Sequence, residues 1–218
     1  MNNILQNANI SNYLNCWRVF LRNKAYAITP AHCLVYQKNN WHKSLISGKL
    51  DKYEDLKWKI PVKYTEKKDI LYDFAFSEID SSRALDCYNV HSDTSVKFYF
   101  YQPFTYSGQM GKEASLGRID GVIYKSPDSD LFETIGIGFR GMSGALCINK
   151  NIGVVGMYIR RGEDLGIDRG HTYISQVTNG LSLSNLAISR GMIMPPKLMI
   201  KHIEGETIDL DDLVTTKR

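Results

Sequence analysis

Short β-prone runs recur along this chain at close spacing, broken by turn residues, and that pattern most narrows what it can fold into. Cys16–Leu21 and Ala25–Thr29 flank the polar turn Arg22-Asn23-Lys24 and predict a hairpin. Lys49–Tyr53 and Leu56–Ile60 alternate apolar and polar residues as exposed hairpin strands do. Asp69–Phe76 predicts a buried strand entered by acidic residues. Val96–Tyr101 opens a second set, followed by a further pair within Ala114–Tyr124 and a strand in Leu131–Ile137. Ala145–Ile148 and Gly153–Ile159 predict a hairpin turned by Asn149-Lys150-Asn151, and His171–Ile174 a last short strand. Helix is confined to the ends: a frayed arm or short helix in Met1–Leu14, and a helix in Leu181–Arg190 stopped by Pro195-Pro196. The pattern argues for an all-β barrel architecture. It divides the chain at Ser92–Thr94 into residues 1–93 and 94–190, with 191–218 a tail without a clear partner.

Composition serves mainly to exclude. A net charge of +4 over 218 residues does not call for nucleic acid or an anionic membrane. No apolar run is long enough to span a bilayer. The first residues lack the basic start and apolar stretch of a signal peptide, so the expected location is the cytoplasm. Cys16, Cys33, Cys87 and Cys147 have no C-x-x-C spacing, which argues against zinc and for free thiols. No cofactor or metal is expected. The aromatic run Phe98–Tyr101 reads as core, and His42, His91 and His202 as surface residues.

One stretch carries chemistry. In Gly141-Met142-Ser143-Gly144-Ala145 a serine lies in a tight bend between small residues, with β-type sequence directly after. Glycine beside a reactive residue lets backbone N–H groups turn toward a ligand oxygen. A serine hydroxyl is a poor nucleophile near neutral pH and needs a base, which in turn needs an orienting partner. Ser143 is the candidate nucleophile and His32 the candidate base. Asp73 is the candidate orienter, preferred over Asp69 because Phe74-Ala75-Phe76 follows it. The N–H groups of Gly141 and Ser143 are the candidate oxyanion hole.

Thr29-Pro30-Ala31-His32-Cys33, Asp73-Phe74-Ala75-Phe76 and Gly141-Met142-Ser143-Gly144-Ala145 resemble, in order, the three motifs of chymotrypsin-like serine proteases. The resemblance covers about residues 15 to 180, and its loops are most similar to compact viral polyprotein-processing and bacterial intracellular members. It implies two six-stranded antiparallel β-barrels with a Ser-His-Asp triad between them, and a protein or peptide substrate. Met142 stands where secreted members place the aspartate that pairs with a new N-terminal amine, so that activation switch is not expected. Cys16 and Cys33 lie near the place of a family disulfide, and reduced thiols are the expected state. By analogy the first specificity pocket takes residues near Ile137, Tyr158 and His171. Apolar Ile137 argues against a basic P1 side chain, and Arg160 with His171 suggests an acidic or polar one. Two rival functions stand beside the protease. One is a protease-like binding module. The other is an α/β-hydrolase esterase, disfavoured because Ala145 stands where that family needs glycine and strand-like sequence follows.

Overall fold

A computed structural model describes residues 2–10, 15–38, 56–67, 69–104, 110–136, 138, 141–161 and 190–212. After helix α1 (Asn2–Ala8), strands β1 (Trp17–Leu21) and β2 (Lys24–Thr29) form the expected hairpin. Its two-residue turn puts Arg22 and Asn23 at φ 50° and 67°, the left-handed pair that matches the twist of a tight hairpin. Pro30 has no N–H to continue the ladder, and helix α2 (Ala31–Lys38) begins directly after it.

Strand β3 (Lys59–Pro61) and helix α3 (Val62–Lys67) come next, while the expected strand at Lys49–Tyr53 lies outside the described residues. The strand expected over Asp69–Phe76 is instead a 3₁₀ turn (Ile70–Tyr72) followed by β4 (Ala75–Glu78). The cause is local: the Asp69 carboxylate accepts the Leu71 N–H, offering the backbone a turn in place of a ladder. Asp73 closes that turn.

The second set is a closed antiparallel barrel. Around it run β10 (Gly153–Arg161), β11 (Arg190–Met194), β8 (Phe132–Ile135), β7 (Met110–Lys125), β6 (Thr94–Phe104) and β9 (Leu146–Asn149), and β9 pairs back to β10. The pair expected within Ala114–Tyr124 is part of the single strand β7. Its Gly117 marks the close approach of the Phe100 ring, 2.7 Å from where a Cβ would stand, and not a turn.

The first set departs from the expected second barrel. It is a six-stranded sheet in which β12 (Thr207–Asp209), β3, β4, β2, β1 and β5 (Leu85–Asp86) follow in that order, and it is not closed among the described residues. Strand β5 (Leu85–Asp86) has only two residues and lies parallel to β1. The next residue, Cys87, pairs with Val154 of the barrel, so the chain leaves this sheet for the other one.

The segment expected as a tail is built into both halves. β11 belongs to the barrel, helix α4 (Pro196–Glu204) follows, and β12 (Thr207–Asp209) pairs with β3 at the edge of the first sheet. Pro195-Pro196 starts a helix here, since a proline at the first helical position gives up an N–H that has no helical partner anyway. The helix expected at Leu181–Arg190 falls outside the described residues up to 189, and Arg190 is in strand β11.

The two sheets share one apolar core. Trp17, Val19, Phe74 and Phe76 of the first half pack in one cluster with Tyr99, Leu146, Met157 and Met194 of the second and with Leu198 and Met199 of α4. No helix among the described residues is long and apolar enough to cross a membrane.

Candidate active site

His32 is the second residue of α2, where helical backbone N–H groups have no partner within the helix. Asp73, fully buried at the end of the 3₁₀ turn, fills that need. Its Oδ1 accepts the His32 backbone N–H at 2.9 Å, and its Oδ2 lies 2.7 Å from the ring Nδ1. One carboxylate therefore fixes both the backbone and the ring of the same residue. A negative group at a helix N-terminus is also favoured by the helix dipole. Asp69, the rival orienter, is occupied in capping the 3₁₀ turn.

The other ring nitrogen, Nε2, lies 3.1 Å from Ser143 Oγ. Carboxylate, imidazole and hydroxyl, separated by 41 and 111 positions in the chain, thus meet in one hydrogen-bonded line where the sheets join. A carboxylate on Nδ1 selects the tautomer with its proton there and leaves Nε2 able to accept from a hydroxyl.

Burial of the imidazole opposes its charged form. The Cys33 sulfur, 3.5 Å from Nε2, and the Asp73 carboxylate favour it. The balance holds His32 well above the ordinary histidine value.

The serine loop is ordered through its carbonyls. Gly141 O and Ser143 O accept from the Asn15 side chain, Met142 O from the Ala145 N–H, and Gly144 O from Trp17 Nε1. The Gly144 N–H donates to Tyr158 O at 2.7 Å. Among the described residues nothing accepts from the N–H of Gly141 or of Ser143. Those two donors are what an oxyanion would need. Glycine is required for two different reasons here. Gly141 has φ 96° with open space around it, whereas Gly144 has φ 86° and also lies against Asn15, whose carbonyl oxygen would be 2.2 Å from an added Cβ.

Met142 points into the barrel core beside Phe98, Val155 and Tyr158. An apolar side chain there is anchored by packing, where an aspartate would need a charged partner. Among the expected specificity residues, Ile137 and His171 lie outside the described residues. Tyr158 is only 1% exposed, its ring edge-on to Phe98 inside the barrel. It therefore presents no side-chain surface to a substrate, and it serves the loop through its backbone carbonyl. The four cysteines are all thiols, with no disulfide between Cys16 and Cys33.

Sequence reasoning missed three participants. Asn15 and Trp17 precede the motifs and belong to none of them. His202, expected on the surface, is buried in α4, with its Nε2 2.6 Å from the Leu71 carbonyl of the 3₁₀ turn that carries Asp73. Burial lowers the His202 pKa. No local pattern marks any of the three, because these partners lie between 86 and 131 positions away: Tyr101 is 86 from Asn15, Gly144 is 127 from Trp17, and Leu71 is 131 from His202.

No protein-family model and no curated protein matches the chain. Its fold is similar to several solved structures. A Glu endopeptidase in complex with MPD has a TM-score of 0.49 at 13% identity, covering 89% of this chain and 90% of that one. The serine protease domain of the Sesbania mosaic virus polyprotein has a TM-score of 0.45 at 18% identity, covering 81% and 79%. The MamO protease domain from Magnetospirillum magneticum has a TM-score of 0.43 at 11% identity, covering 85% of each. At such scores the functional reading rests on this chain's own residues.

Proposed function

We propose that the chain is a serine endopeptidase of the chymotrypsin-like kind, acting on a protein or peptide substrate. The observation that carries this reading is the hydrogen-bonded line from buried Asp73 through His32 to Ser143 Oγ. In the proposed reaction Ser143 Oγ attacks the substrate carbonyl carbon while His32 Nε2 takes the hydroxyl proton. Asp73 stabilises the imidazolium, and the N–H groups of Gly141 and Ser143 hold the oxyanion. Collapse of the tetrahedral species breaks the C–N bond, and the proton on Nε2 passes to the leaving amine. Water then repeats the sequence on the acyl-enzyme, losing its proton to His32 and releasing Ser143. No cofactor is required for these steps.

The short loops, which resemble those of compact polyprotein-processing members, favour limited processing of a specific protein or polyprotein over broad digestion. A fluorophosphonate probe tests the reading. It should label Ser143 in the folded protein and not the Ser143→Ala or heat-denatured forms. Absence of labelling, with no peptide cleaved from a diverse library, would favour the binding module instead.

A further inference from the structure

We propose that Asn15 is a positioning residue for the oxyanion hole, an internal clamp that sets the shape of the serine loop. This inference rests on the endopeptidase reading. Asn15 is 3% exposed and lies just ahead of β1, outside the loop it holds. Its Nδ2 spends both hydrogens on the loop, at 3.0 Å from Gly141 O and 3.0 Å from Ser143 O. Its Oδ1 accepts the Tyr101 N–H at 2.6 Å. The partners leave no freedom to flip the amide, since two carbonyls require the nitrogen and an N–H requires the oxygen. Asn15 is itself tied down: its backbone carbonyl accepts from Thr29 Oγ1, one residue before Pro30 and three before His32. The neighbouring Trp17 indole holds Gly144 O at 2.9 Å.

The consequence follows from peptide geometry. A peptide carbonyl and the N–H of the same unit point in opposite directions. Asn15 anchors the carbonyls of the two peptide units on either side of the Met142–Ser143 unit, whose own carbonyl accepts the Ala145 N–H, and so restricts where the Ser143 N–H can point. Preorganised donors of this kind stabilise charge without reorganising during the reaction. In this chain the loop is shaped by a neutral side chain reaching across from just ahead of β1, while Met142 is packed in the barrel. Loop geometry here does not depend on an ion pair made at position 142.

The test uses Asn15→Ala and Asn15→Asp in the full chain, read by fluorophosphonate labelling of Ser143. The phosphonyl oxygen must occupy the oxyanion hole. The limiting labelling rate should fall about 10²-fold. The half-saturating probe concentration should stay within roughly threefold, and the pH midpoint should not move, since His32 and Asp73 are untouched. Labelling of folded variants within twofold of the parent, or a loss expressed as a moved pH midpoint, would overturn the proposal. The unmutated protein gives a second readout that needs no variant to fold. The Asn15 side-chain NH₂ protons should be strongly protected from solvent exchange, and exchange at the rate of an exposed amide would overturn the clamp. If the parent is never labelled, the endopeptidase reading fails, while amide exchange still decides whether the clamp exists.

Discussion

On one side of the junction, His32 is held by a single buried carboxylate that accepts from both its backbone and its ring. On the other side, Ser143 is held by a set of neutral bonds to backbone carbonyls, supplied by Asn15, Trp17 and the loop itself. The first arrangement is ionic and few-membered, so it responds to pH and fails when one group is lost. The second is uncharged and distributed, so it responds to packing and backbone conformation. The proposed reacting centre therefore depends on two kinds of physical chemistry, and perturbations of each should leave different signatures.

The sharpest break comes at Asp73. On the proposed mechanism, Asp73→Asn should lower the peptide-hydrolysis rate by about 10⁴-fold, because a neutral amide no longer selects the productive tautomer. Rates measured on a peptide found by library cleavage would show it. A loss under tenfold would mean the carboxylate side is not the orienting side.

Gly144→Ala should act through the other side. An alanine must hold φ near 86° and displace the Asn15 carbonyl, 2.2 Å from the new Cβ. A cost of about 3 kcal/mol or more is expected, lowering the melting temperature by roughly 10 °C. Calorimetry checks it, and the pH midpoint of labelling should stay in place.

The pH profile separates the two sides directly. Only neutral His32 can accept the Ser143 proton, so labelling should rise about tenfold per pH unit and level off above the His32 pKa. Its midpoint should lie above 6.5, as the raised His32 value requires. Stability has the opposite slope. A pKa raised in the folded state adds stability that is complete below the unfolded value and is lost as pH rises through the folded one. Cys33→Ser should move the midpoint down, since it removes a sulfur 3.5 Å from Nε2. A midpoint unchanged by Cys33→Ser would leave the carboxylate as the cause of the shift.

The smallest effect marks the background. Lys24 and Glu78 form an ion pair across β2 and β4, with both side chains 59% exposed. Lys24→Gln should change neither labelling nor melting temperature, since solvent screens such pairs. A clear change in either would show that the first sheet transmits surface perturbations to His32.

Much of the site was legible because its chemistry demands particular residue types in particular local settings. A serine in a glycine-bounded bend, a histidine just after a strand halted by Pro30, and an aspartate before an apolar strand are each visible within five residues. The β-rich character was legible for the same reason: alternation, turn residues and hairpin spacing are short-range properties. The supports were not. Asn15 reads as one more asparagine beside an Asn-rich segment, and His202 as a surface histidine in a tail without a clear partner.

By itself, then, the amino-acid order determined which side chains are suited to the proposed chemistry and which stretches prefer extended backbone, since both depend on neighbours a few bonds away. Only the tertiary structure decided that one sheet closes while the other stays open among the described residues. It alone set the return of the C-terminal segment to pair at Pro61, and the convergence of Asn15 with the serine loop. Those outcomes depend on contacts far along the chain, from 37 positions between Met157 and Met194 to 146 between Pro61 and Thr207, where burial of apolar surface selects the partners and local preference does not.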